Sequence, residues 1–429
     1  MSRTAAHIRH KNRSGKHNGF VLILLVLSML GILGVVFVTG LATGGEKNSQ
    51  DAKTGVALAQ AKEALLAYAI TRDDPGRPAE FPCPTTVAPT DPTYGTSAGA
   101  CATVRLGRLP WKTLGIQELF DGAGEPLWYA VSSRFRPAVA KINSDTLGNL
   151  TVYAAGGAVV LENQAVAVIF SAGPPVSTQN RTSTVSFCAT TSTSIAGNVC
   201  AANYLDSSSG RNNASNAGPY IADRANAAFN DKVVYITTAD FMPKIEERIV
   251  AILTRTLNYY YATNGYYPYA ANYSDYTAPL KLNCANGRYS GRLPFQILVS
   301  PLTGSPCTSL ADWPSTGNPN SFPTWFTVNQ WNVAVHYAVG KAYAIGGAKV
   351  CPGALGDCLT VDGIANVQAV FILPGTATTI PLQTRPSGAP TDYLEAIENQ
   401  NDFPTPTNYT YVTTTSTLPS RDRVVAIKN

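Results

Sequence analysis

The chain of 429 residues is predicted to be an α+β protein: one long N-terminal helix, transmembrane at first and then amphipathic, followed by two tandem heads, each a helix plus an antiparallel β-sheet. Three observations predict this. Phe20–Thr43 contains no charged residue, residues 56–69 continue with helical periodicity, and a set of sequence blocks occurs twice in the same order.

The uncharged stretch comes first. At 1.5 Å per residue its two dozen residues would make a helix of roughly 36 Å, long enough to cross a bilayer. Before it lies a leader with Arg3, Arg9, Lys11, Arg13 and Lys16 and no acid, ending at Gly19. Those five account for the whole net charge of +5; the rest balances at 27 basic and 27 acidic residues. A nucleic-acid partner would need a basic patch in the balanced part, where none is visible. The leader's charge fits retention on the cytoplasmic side by the positive-inside rule.

After Gly44-Gly45 the chain turns polar. Val56, Ala59, Ala61, Leu65, Leu66 and Ala69 then recur at helical spacing, with Gln60, Lys62 and Glu63 between them, until Pro75 and Pro78 stop the pattern. Phe20 to about Ile70 is therefore read as one helix, apolar all round and then on one face. Two alternatives stay open: a signal anchor followed by an unrelated core helix, and a secretory signal cleaved near Gly40-Leu41-Ala42. The apolar region is longer than a usual signal core.

The remainder is written twice. Gly107-Arg-Leu-Pro-Trp111 returns as Gly291-Arg-Leu-Pro-Phe295, and Leu127-Trp-Tyr-Ala-Val-Ser132 as Val335-His-Tyr-Ala-Val-Gly340. Gln164–Pro174 returns as Asn366–Pro374, Tyr204-Leu-Asp206 as Tyr393-Leu-Glu395, and Asn230–Ile236 as Arg421–Ile427. Each copy starts with an amphipathic helix and a Pro-containing turn, Phe81-Pro82 and Tyr267-Pro268. The strands are rich in Val, Ile, Tyr and Phe and are divided by Gly, Asn and Ser. The predicted organisation is a leader (1–19), a transmembrane or filament-core helix (20–44), a first head (45–240) and a second head (241–429) stacked on the first.

The eight cysteines (Cys83, Cys101, Cys188, Cys200, Cys284, Cys307, Cys351, Cys358) form no CxxC, and three of the four histidines sit in the leader. Structural zinc wants clustered Cys and His, so disulfides in an oxidising compartment are the better reading. Pairing of sequence neighbours is the simplest guess: 83 with 101, 188 with 200, 284 with 307, 351 with 358. Trp111, Trp128, Tyr129 and Tyr337, at matched positions, are read as core. Tyr259 and Tyr260 are read as helix packing. Tyr266, Tyr267, Tyr269, Tyr273 and Tyr276 are candidates for a binding surface toward a secreted or surface ligand.

The junction Gly19-Phe20, with Val21-Leu-Ile-Leu24 after it, resembles the type IV pilin family, including the pseudopilins of type II secretion. The repeated Gly-Arg-Leu-Pro and Trp-Tyr-Ala-Val-Ser blocks also look like those of large bacterial proteins of this class. The resemblance implies cleavage after Gly19 by a prepilin peptidase, methylation of Phe20, insertion in the inner membrane with the pilin-like heads in the periplasm, and packing with other pilins or pseudopilins in a filament or at the cell surface. The family's fifth mature residue is usually Glu; here it is Leu24. Burying an unpaired carboxylate costs several kcal/mol, so Leu24 inserts without that cost and without that contact. Leu24, beside Gly31 and Gly34 on the same helix, and the large heads imply a minor subunit that initiates or caps the filament. A tip adhesin or substrate-binding module is the second reading; a plain signal-anchored periplasmic protein is the third. The resemblance also brings in calcium, for which loop acids such as Asp206 and Asp223 are candidates, although they lack EF-hand spacing. No cofactor is expected. No enzyme is expected either: a triad needs a base, and His336 is the one histidine after the leader.

Overall fold

The computed structural model describes residues 45–429 apart from 74–75, 88, 177–178, 180, 182–198, 275, 277–287, 295–311, 352, 380, 414–420 and 429. The chain divides into a short N-terminal unit, Met1–Ala52, and a body, Lys53–Asn429. Phe20, Leu24, Gly31 and Gly34, with the cleavage junction at Gly19, lie outside the described residues.

Two long helices organise the body: α1 (Gly45–Thr71) and α2 (Met242–Asn264). Alternation of small and apolar residues gives α1 a stripe of Ala57, Leu58, Ala61, Leu65, Leu66 and Ala69, all buried. Pro243 opens α2, where its missing N–H costs nothing, and Gly265 closes it in the left-handed conformation at φ 75°.

The first half holds strands β1 (Leu106–Arg108), β2 (Trp128–Val131), β3 (Leu150–Ala154), β4 (Val160–Ala165), β5 (Ala167–Ser171), β6 (Ser207–Ser208), β7 (Arg211–Asn212), β8 (Tyr220–Ala222) and β9 (Lys232–Ile236). The second holds β10 (Ser290–Arg292), β11 (His336–Val339), β12 (Leu359–Val361), β13 (Ile364–Val367), β14 (Ala369–Leu373), β15 (Thr410–Tyr411) and β16 (Arg423–Ile427). Two four-stranded antiparallel sheets run β1-β2-β5-β9 and β10-β11-β14-β16. Two three-stranded sheets run β4-β3-β8 and β13-β12-β15, each with one antiparallel and one parallel pair. A short hairpin, β6-β7, belongs to the first half alone among the described residues.

Registers agree between the halves. Arg108 lies opposite Trp128 as Arg292 lies opposite His336. Tyr129 donates its hydroxyl to the Pro82 carbonyl at 3.1 Å, and Tyr337 to that of Pro268 at 3.0 Å. Gly107 and Gly291 are required by close approach: a Cβ there would meet the main-chain oxygen of Thr85 at 2.3 Å or of Ala271 at 2.0 Å. Those same residues bridge the arginines next to the glycines, Thr85 to Arg108 and Ala271 to Arg292.

Each large sheet is buried on both faces, so its central strands read as unbroken apolar runs. One face of each, with Tyr129, Val131 and Ile169 from the first half and Tyr337, Val339 and Phe371 from the second, enters one common core with both long helices. The opposite faces cover separate outer cores beneath the small sheets.

This arrangement corrects the predicted architecture. A long N-terminal transmembrane helix followed by two tandem pilin-like heads is not what the described residues form. The halves are not stacked heads with a core each; both helices and both sheets are consumed by one core. The helix-plus-antiparallel-sheet plan also omits the mixed small sheets. Among the described residues no helix is long and apolar enough to cross a membrane. That overturns the expected single-pass inner-membrane location. In physical terms, α1 carries Asp51, Lys53, Lys62 and Glu63 as well as its apolar stripe, and Lys62 is half-buried against Asp240; such a helix is suited to covering a core.

Polar contacts reinforce the joint between the halves. Arg77 Nη1 donates to Asn329 Oδ1 at 3.1 Å, and the Asn143 amide donates to the Asn329 carbonyl at 3.1 Å. Ser144 and Arg423 both donate to the Glu246 carboxylate. Arg248 donates to the carbonyls of Ile70 and Arg72 at the end of α1. These groups are buried or half-buried, so each satisfied pair avoids the cost of an orphaned polar atom.

Candidate functional site

The densest polar chemistry lies in the two outer cores, where each half builds the same arginine cage from four separate segments. In the second half Arg292, fully buried on β10, donates Nε to the Tyr273 carbonyl (2.9 Å), Nη1 to Val333 (2.6 Å) and Nη2 to Ser387 (2.7 Å). Its guanidinium lies 4.9 Å from the ring centre of Tyr273 and 4.7 Å from that of Tyr393. In the first half Arg108 lies 4.1 Å from the ring centres of both Trp128 and Tyr204 and donates to the Pro126 carbonyl at 2.8 Å. Burial pulls the Arg108 guanidinium below its ordinary value, opposed by Tyr204, Tyr94 and Glu125. The planar fork of arginine suits such a place, because it can serve several carbonyls and lie over a ring at once.

A second arginine completes each cage. Arg181 lies 4.7 Å from the ring centre of Tyr204, pairs with Glu125 at 3.0 Å, and donates to the Gly173 carbonyl and to Gln179. Arg385 lies 4.8 Å from that of Tyr393, pairs with Asp145 at 2.9 Å, and donates to the Gly375 carbonyl and to Gln383. A carboxylate pair closes the base. The Asp206 main-chain N–H donates to Asp231 Oδ2 at 2.8 Å, and the Glu395 N–H to Asp422 Oδ2 at 2.9 Å. Burial raises Asp231 well above the ordinary carboxylate range, with the neighbouring Asp206 adding to it. Burial likewise pushes Asp422 up to about 7. Asn213 and Asn399 each clamp the small sheet by a two-way amide bond, to Ile221 and to Val412.

These partners were missed in the sequence. The signal was present as the tripeptide Gln179-Asn-Arg181, which recurs as Gln383-Thr-Arg385 between blocks that had been matched.

The residues predicted from sequence fall in different places. Cys83–Cys101 and Cys351–Cys358 are bonded, with Cα separations of 5.7 and 5.6 Å. Cys188, Cys284 and Cys307 lie outside the described residues; the backbone of Cys200 lies in a short helix, Val199–Ala202. The tyrosine surface is corrected. Tyr267, Tyr269 and Tyr273 are buried: Tyr267 stacks on Tyr261 at 4.6 Å, Tyr269 packs on Tyr289, and Tyr273 lines the arginine cage. Tyr266 is half-buried against Tyr260, leaving Tyr276 exposed. Aromatic rings with one polar atom serve either use, and spacing does not separate them. Asp206 accepts from Gln179 and from the Asn230 N–H, and Asp223 accepts from Ser208. Among the described residues no group of three or more His, Cys, Asp or Glu is placed to hold a metal ion.

A cleft of about 250 Å³ lies within the loop closed by Cys83–Cys101, lined by Thr86, Val87, Thr93, Thr96, Ser97 and Ala98. Its lining contains hydroxyls and small apolar groups and no titratable side chain. The cages are filled by their own rings and guanidiniums, so what the arrangement does chemically is bind main chain: it pins distant loops to the back of each large sheet. Comparison of the chain with protein-family models, with curated proteins and with solved structures finds no match.

Proposed function

We propose that the chain is a structural subunit of a pilin-type filament, freed of its basic leader by a peptidase that cuts between Gly19 and Phe20. Its partners in this reading are that prepilin-type peptidase and other pilin-type subunits, met through the apolar segment Phe20–Thr43. The body is a mechanical mass and performs no chemistry. The observation that carries this is the use of its buried charge. Arg292, Arg108, Arg181 and Arg385 are all spent on main-chain carbonyls, rings and carboxylates of their own chain. A binding or catalytic site would present such groups to a cleft. Burial of Tyr267, Tyr269 and Tyr273 removes most of the support for an adhesive surface.

The N-terminal residue of the mature chain tests the reading. Mass spectrometry should find Phe20 as the first residue, and Gly19→Leu should leave the leader attached. A mature chain that starts after Ala42, or one that keeps its leader in assembled material, contradicts it.

A further inference from the structure

We propose that His336 makes the outer core of the second half an acid-released latch: protonation of this imidazole frees the small sheet β13-β12-β15 from the back of β11, while the first half, with Trp128 at the matched position, stays closed.

His336 is fully buried at the centre of the outer core. Its ring stacks on Tyr273 at 5.1 Å and meets Tyr393 at 5.0 Å and Phe403 at 5.6 Å edge-on. Neither ring nitrogen has a hydrogen-bond partner among the described residues. Two of the three rings already hold guanidiniums, Arg292 over Tyr273 and Tyr393, and Arg385 over Tyr393. An imidazolium here would be a third cation in a cage built for two.

The groups around it offer no relief. From β10 it faces Arg292, its register partner. From the loop before Tyr393 it faces Arg385. From β14 its register partner is Ile372, and from β12 and β13 the core receives Leu359, Val361 and Val367. The nearby acids are engaged elsewhere. Asp402 accepts from the N–H groups of Thr407, Asn408 and Thr410, Glu395 from that of Arg421, and Asp422 from that of Glu395. Burial first, then Arg292, then Arg385, hold the imidazole well below its ordinary value. The closed layer therefore binds this proton less tightly than the open one. The contribution to closure is complete above about pH 6.5 and is lost as pH falls below it, the opening equilibrium rising about tenfold per unit.

The shifted carboxylates act with the opposite sign. Asp422, Asp231 and Glu246 are all raised by burial, so the closed form holds their protons more tightly. Their contribution is present at low pH and is lost as pH rises through their folded values. Loosening between pH 6.5 and 5 is thus the histidine's mark, and the first half has none: Trp128, also fully buried, carries no charge at any pH.

Segment-resolved hydrogen exchange of the full chain at pH 7.0 and 5.0, corrected for intrinsic rates, tests the latch. Relative to the matched segments 150–171 and 204–222, where Asp231 stands in the place of Asp422, segments 359–373 and 393–411 should lose about 30-fold protection on going to the lower pH. His336→Phe should abolish the difference, as should His336→Trp, which copies the first half. An equal change in the two halves, or a difference between them that persists in His336→Phe, overturns the proposal. The comparison of halves in the unsubstituted chain decides it even where a variant does not fold.

Discussion

Arg292→Met is expected to destabilise the body by about 3–5 kcal/mol, measured as a fall in the urea midpoint at unchanged slope. The substitution keeps most of the volume and removes a desolvated charge, which is a gain. Against that gain stand the carbonyls of Tyr273, Val333 and Ser387, which lose their donors together inside a closed core. An orphaned buried carbonyl costs about 1–3 kcal/mol, so the losses win. Arg292→Lys keeps the charge, but one ammonium cannot serve three carbonyls in the guanidinium plane, and it should recover less than half of the loss. Arg108→Met should cost less, because that guanidinium relies more on Trp128 and Tyr204. A change of under about 0.5 kcal/mol at Arg292 would show that the cage carries no load.

Phe241→Ala is expected to cost a similar amount, about 3–5 kcal/mol. Phe241 stands at the start of α2 and is fully buried. Its ring lies 5.3 Å from that of Phe81 and 5.8 Å from that of Phe135, both edge-on. The three rings fasten the second half's helix to the first half's loops, so truncation opens a cavity at the joint. Exchange protection should fall on both α1 and α2; a loss confined to α2 would mean that the halves are only loosely joined.

How much of this was legible depends on the kind of residue. Four of the five matched blocks fall on strands, because strands buried on two faces need apolar β-branched and aromatic runs, and Ala-Val-Ile-Phe or Ala-Val-Phe-Ile has few other uses. Gly107 and Gly291 were visible as repeated glycines, and the close carbonyls of Thr85 and Ala271 give their reason. The stripe on α1 was visible in part: Ala61, Leu65, Leu66 and Ala69 are buried as the period marks them, but Val56 and Ala59 are exposed and Ala57 and Leu58 are covered instead. The period does not say what covers them. The same stripe fits a private core or a shared one, which is why separate heads were expected. The cages were hidden for a different reason. Arg181 and Arg385 sit in polar loops with no periodicity, and only folding brings them to Tyr204 and Tyr393. His336 and Trp128, aligned in the repeat, differ in charge behaviour, and that difference has meaning only once Arg292 and Arg385 are seen beside the ring.

The account rests on one body with a common core, tied by arginines that face inward. Its most direct test is urea unfolding of the chain at pH 7.5, followed by segment-resolved hydrogen exchange in β2 and β5 of the first half and β11 and β14 of the second. The account predicts that all four strands lose protection in one transition at the same urea concentration. Two separated transitions, with one half's strands protected after the other's are lost, would contradict it.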